Sequence, residues 1–235
     1  MATLILEKPR PVRWRRRLRG ACFWTAVALA TIALVEELEL NAAVAALAIP
    51  ATVLALRDLV RALRFRREGR LAERVSKGLR DELGDEYVVL TEYEPRDGLA
   101  EHVAIVVVGP PGIFVVEPVA GDGALACYQD HWYRGADGAT HRLADSPSKR
   151  ARSNASRVRS DISSGGHIRA VVNAFVLLER ARASDCASST VPVIAGVHAL
   201  ARELRSRAPR SDASPRYTRA VAEALTHPVP IAVAG

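Results

Sequence analysis

The chain has 235 residues, 49% hydrophobic and 25% charged, with a formal net charge of +7. That length suits one medium domain with an appendage, and that hydrophobic share excludes a wholly disordered chain. The basic residues are nearly all Arg, which suits acidic partners, nucleic acid or anionic lipid, without choosing between them.

A basic lead of Arg10, Arg13, Arg15, Arg16, Arg17 and Arg19 precedes an uncharged run over 20–35, GACFWTAVALATIALV. Glu36, Glu37 and Glu39 interrupt it, and a second uncharged run covers 40–56, LNAAVAALAIPATVLAL. Arg57, Arg61, Arg64, Arg66, Arg67 and Arg70 close the region. A helix needs about 20 residues to cross a hydrocarbon core ~30 Å thick. Each run is a little short, and flanking Leu, Trp and snorkelling Arg make up the difference.

The pattern predicts a transmembrane helical hairpin over 20–57, with Pro50 tolerated as a kink. The positive-inside rule puts the Glu cluster outside and both basic ends in the cytoplasm. Residues 1–19 are then a basic cytoplasmic N-terminus, and the location is the membrane with both termini cytoplasmic. A buried helical hairpin of a soluble protein is the other reading. A cleaved signal peptide is not expected, because the basic lead is long and the second run would remain as an anchor.

Leu71, Val75, Leu79 and Leu83 repeat every four residues and predict an amphipathic helix over 65–83, stopped at Gly84. A strand is expected over 87–91. The strongest strand signals follow at 102–108 and 113–119, joined by Gly109-Pro110-Pro111-Gly112. Both runs are almost continuously apolar, so both faces of this hairpin should be covered. Residues 124–129 and 131–134 could add strands at one edge of the same sheet. Ser146 caps a helix with Pro147 at its first position. Its apolar stripe is Ala151, Ala155, Val158 and Ile162, and Gly165-Gly166 ends it. Strands over 170–178 and 191–195 and helices over 198–207 and 217–225 complete an α/β domain with a mixed central sheet.

Cys22, Cys127 and Cys186 lie far apart without a CxxC spacing. They fit neither a disulfide framework nor a zinc site, and inert packing in a reducing compartment is their expected role. Phosphate-binding Gly-rich loops, metal-ligand His spacings and G-x-S-x-G elbows are not found in the sequence.

The stretch VAIVVVGPPGIFVVEPV over 103–119 resembles the central signature of the nuclease-related domain (NERD) family, which runs roughly I-D-H-V-V-V-G-P-x-G-[IV]-F-V-[IV]-E-T-K. Ala72-Glu73 ahead of an amphipathic helix, the following Tyr87-Val88-Val89-Leu90 and a later Trp132 agree with that family's order of features. Ser146-Pro147-Ser148-Lys149-Arg150 stands where the family has a helix opening N-P-x-x-Q. The likeness covers about 67–207. It implies a restriction-endonuclease-like fold of the PD-(D/E)XK kind, a mixed central sheet flanked by helices. The implied layout is a NERD-like domain over 65–207, with a loop and C-terminal helix over 208–235 packing on it.

The departures from the family fall on its chemistry. The family's Asp corresponds to Ala104, its Lys to Val119 and its helix Gln to Arg150, while its Glu is kept as Glu117. Pairing Gly109 with Gly112 and stepping outward sets position 104 across from Glu117, and Glu117 and Val119 share a face. Carboxylates at both positions would bind Mg²⁺, and a Lys at 119 would steady the transition-state charge. Here Glu117 is the only metal candidate of that set, and Glu117 and Glu73 are the vestigial catalytic candidates. A substituted site adding His102 is the route to residual activity. Otherwise Glu117 is structural, and because a buried carboxylate needs a partner, either the strand end leaves it partly wet or a basic residue such as Arg150 reaches it.

Lys149, Arg150, Arg152 and Arg159 form a basic helix face that is a candidate nucleic-acid contact, or simply a solvated surface. The expected function is a membrane-anchored, cytoplasm-facing, catalytically inactive binding module. Its expected partners are the lipid bilayer and either nucleic acid or another membrane or cytoplasmic protein, and it needs no cofactor. The alternative is a divergent metal-dependent nuclease of DNA or RNA using Mg²⁺, and a purely structural membrane protein is a third reading.

Overall fold

A computed structural model describes residues 42–97, 102–136, 139–164, 170–210 and 214–226, together with Cys22 and Ala26. The chain divides between Arg70 and Leu71 into two compact units. Helix α1 (Ala42–Glu82) is continuous, so the basic segment after residue 56 does not end it. The second arm of the expected hairpin falls within α1 from residue 42 on; the first, over 20–35, lies outside the described residues except for Cys22 and Ala26. Among the described residues, no helix is long and apolar enough to cross a membrane.

From residue 71 onward the chain folds around a five-stranded sheet. Its members are β1 (Val88–Tyr93), β2 (Val103–Gly109), β3 (Gly112–Val119), β7 (Val172–Leu178) and β9 (Val193–Ala195), in that spatial order. The β1–β2 and β2–β3 pairs are antiparallel, and β3–β7 and β7–β9 are parallel. The mixed central sheet is therefore as expected.

The edge assignment of the next strands is corrected. β4 (Ala124–Tyr128), β5 (His131–Ala136), β6 (Ala139–Arg142) and β8 (Arg182–Asp185) form a second sheet in the order β6-β5-β4-β8. β8 closes it by pairing in parallel with β4. Its residues, Arg-Ala-Ser-Asp, are all exposed and carry no apolar alternation, so no pattern announced a strand there.

Helices cover both faces of the central sheet. On one face, Leu71, Val75 and Leu79 of α1 pack with Ile105, Val107, Phe114 and Val116. Helix α3 (Val197–Ser206) adds Leu200 and Leu204 to that cluster. On the other face, Val158 and Ile162 of α2 (Pro147–Ser164) pack with Val106, Val108, Ile113 and Val115. Val221 and Leu225 of α4 (Pro215–Thr226) join them. This two-sided cover explains why β3 is buried along its whole length. Each such Val, Leu or Phe contributes about 1.5–3 kcal/mol on burial.

The hairpin turn is two prolines long, with Gly109 paired to Gly112. Gly112 has φ 133, a conformation open to glycine and costly to other residues. At Gly109 a side-chain carbon would collide with the Tyr87 ring, so the ring's packing requires a glycine there.

Candidate functional site

Ser146 caps α2 as its sequence suggests: its Oγ accepts from the Lys149 amide at 3.3 Å. The cap fixes where the helix starts, and the apolar stripe sets its rotation. Ala151, Ala155, Val158 and Ile162 turn inward, and Arg150 and Asn154, one turn apart, are aimed at β3.

Glu117 receives both. Arg150 donates from Nε at 2.8 Å and Nη2 at 2.7 Å to Glu117 Oε1. Asn154 Nδ2 donates to Oε2 at 3.3 Å. The Asn154 Oδ1 in turn accepts from Arg157 Nη1 at 3.3 Å, and Arg157 forks onto Asp97 at 2.5 and 2.9 Å. Glu117 is only 5% exposed. A carboxylate buried that deeply is tolerated because the guanidinium balances its charge and the amide takes a further lone pair. The expected ion pair with Arg150 is present. Asn154 went unnoticed in the sequence, although its spacing of four from Arg150 places both on one helix face.

Val119 lies on the same face as Glu117, packed in a cluster with Ala151 of α2. The hairpin register also holds, from Gly109↔Gly112 to Ile105↔Val116. Its extrapolation to Ala104 and Glu117 does not. Glu92 of β1 has φ 54, and the β1–β2 ladder passes from Thr91↔Ile105 to Tyr93↔Val103. Val103 and Ile105, two residues apart, lie in clusters on opposite faces, so alternation breaks at 104. Ala104 packs with the α1-side cluster, away from Arg150 and Asn154.

Glu73 is exposed on α1, the helix that covers the face opposite Glu117. His102 is half-buried just before β2. Among the described residues, no three His, Cys, Asp or Glu side chains form a group that could hold a metal ion. Mg²⁺ does not fit the residues around Glu117. One of its oxygens already takes two guanidinium donors, and neither Ala104 nor Val119 supplies an oxygen ligand.

The candidate nucleic-acid contacts separate into different roles. Lys149 is exposed. Arg150 is committed to Glu117. Arg152 pairs with Asp130 at 3.0 Å, and Arg159 donates to the Val172 carbonyl at 3.3 Å.

A second polar knot was not foreseen. Asp130, at the β4–β5 turn with φ 62, is 4% exposed. Ser148 Oγ donates to it at 2.6 Å, and Thr190 contributes its amide at 3.2 Å and its hydroxyl at 2.9 Å. Ser148 accepts from the indole of the buried Trp132 at 3.0 Å. The knot fastens the second sheet to the start of α2. Burial pushes the Asp130 carboxyl up, but Ser148, Thr190 and the Arg152 charge outweigh it and hold it below its ordinary range. Its members lie up to 60 residues apart in sequence, so no local pattern marks them.

Comparison of the chain with protein-family models, with curated proteins and with solved structures finds no match.

Proposed function

We propose that this chain is a membrane-anchored, cytoplasm-facing NERD-like domain that has lost nuclease chemistry and acts as a binding module. The observation that carries the loss is Glu117, whose two oxygens are held by Arg150 and Asn154 at 5% exposure. A metal would have to displace that partly exposed ion pair to reach the carboxylate, at a cost of about 2–3 kcal/mol. Val119 adds no cation where the family has Lys.

Support for the anchor comes from α1. Val53, Leu56, Val60 and Leu63 are 59%, 60%, 56% and 55% exposed at spacings of three and four. An exposed apolar stripe of that kind marks an interaction surface, and lipid is the occupant this reading assigns. Lys149, Arg152 and Arg159 would then face nucleic acid or a protein on the cytoplasmic side.

The test uses the full chain purified in mild detergent, offered DNA or RNA with Mg²⁺ or Mn²⁺, beside E117A. The reading expects no cleavage above background in either protein. Cleavage that disappears in E117A would overturn it in favour of the divergent nuclease. For the anchor, the expressed chain should stay in the membrane pellet after alkaline carbonate extraction. Recovery in the supernatant would refute that part alone.

A further inference from the structure

A groove of about 380 Å³ lies at the open edge of β7, bounded by α2 on one side and the end of α3 on the other. β9 begins only at Val193, paired with Val176, so among the described residues no strand lies beyond the first residues of β7 on that side. The Val176 amide donates to the Pro192 carbonyl at 3.0 Å. Backbone groups two and four residues earlier, at Ala174 and Val172, face the same edge by strand alternation. The Val172 carbonyl accepts from Arg159 there.

Three arginines line this volume: Arg152, Arg159 and Arg207. Carboxylates are not among its lining residues. Each arginine is held by a neighbouring group. Arg152 is fixed by Asp130 and Arg159 by the Val172 carbonyl. Arg207 is fixed by Glu203 at 2.9 Å and by the Phe175 ring 4.9 Å away. With Asp130 and Glu203 counted against three Arg, one net positive charge remains. Asn173 and Ser156 add neutral hydrogen-bonding groups, and Val191 and Pro192 give an apolar wall.

We propose that this groove is a binding site for a phosphate ester of mononucleotide size. A tetrahedral phosphate presents acceptors in several directions, which suits donors from two helices and a strand edge better than a planar carboxylate does. The volume falls in the range of small-ligand sites. The apolar wall and Asn173 offer the rest of the nucleotide a surface and a polar contact. The site lies on the flank of α2 carrying positions 152, 155, 156 and 159, whereas Glu117 is met by positions 150 and 154. It stands independently of whether Glu117 is catalytic.

The test is calorimetric titration of the full chain in detergent with adenosine monophosphate, inorganic phosphate and a twelve-residue single-stranded oligodeoxynucleotide. Adenosine monophosphate should bind saturably at one site. R159A and R207A, each with unchanged circular dichroism, should weaken it about tenfold or more, the effect of losing one charge-assisted contact. K77A, at an exposed lysine outside the groove, should leave it unchanged. Should R207A prove poorly folded, R207K supplies the second variant, since it keeps the charge and loses the fork. No saturable binding at millimolar ligand, equal binding by R159A, or binding of the oligonucleotide alone would each overturn the proposal.

Discussion

Removing Arg150 tests the central pairing directly. R150A removes the Arg150 guanidinium from Glu117 and keeps the Asn154 amide beside it. Breaking a fully buried pair by deleting one partner costs about 3–5 kcal/mol. Here the Arg150 side chain is 31% exposed and the Glu117 side chain 6% exposed, so water can enter the vacated space and relieve part of the penalty. The expected loss is about 2–3 kcal/mol. E117Q should be milder, about 1 kcal/mol, because the neutral amide needs no counter-charge and Arg150 reaches solvent. The double variant E117Q/R150A should cost less than the two single changes together, with a coupling of about 1–2 kcal/mol. Urea unfolding in mild detergent, followed by tryptophan fluorescence with the buried Trp132 as reporter, measures all three. An R150A loss under about 0.5 kcal/mol, or a larger loss for E117Q than for R150A, would refute the ion pair as the reason Glu117 is tolerated.

The Asp130 knot makes a pH prediction: its carboxyl is held below the ordinary 3.8, so its stabilisation is complete above that value and fades as pH falls through the lower folded value. D130N, which tolerates the positive φ, should lower neutral-pH stability and flatten the acid limb of a stability profile between about pH 5 and 2; an unchanged acid limb would count against the knot. G109A should destabilise by about 1–3 kcal/mol through collision with Tyr87, and Y87A should partly relieve it in the double variant; additive losses in urea melts would exclude that contact. Burial pushes the Cys186 thiol up to about 11, with the nearby Cys127 and Asp185 adding to it, so alkylation at pH 8 should run more than ~100-fold slower than a free thiol. Peptide mapping after timed iodoacetamide treatment reads this, and a rate equal to that of glutathione would contradict it.

Local chemistry settled a good deal before any contact was known. The Gly-Pro-Pro-Gly turn placed the β2–β3 hairpin in its observed register, because a two-residue connection leaves the strands one way to pair. Ser146-Pro147 located the start of α2, and the stripe at 151, 155, 158 and 162 chose its buried face. The rule that a buried carboxylate takes a partner offered two outcomes for Glu117, a wet strand end or Arg150, and the second is the one observed.

What the tertiary structure decided concerns residues that meet only through long-range packing. Ala104 was expected beside Glu117 on strict alternation, and the break opposite Glu92, a non-glycine residue at positive φ, turned it to the other face. The exposed strand β8 exists because β4 offers it a ladder, not because its own residues favour one. The Asp130 knot joins a turn, a helix start and a distant loop, and the groove joins Arg152 and Arg159 to Arg207 across the β7 edge. Sequence determines what each segment prefers within a few residues, since turns, caps and amphipathic stripes are short-range effects. Which distant polar groups share one desolvated space depends on how the elements stack, and that is where the candidate sites of this protein lie.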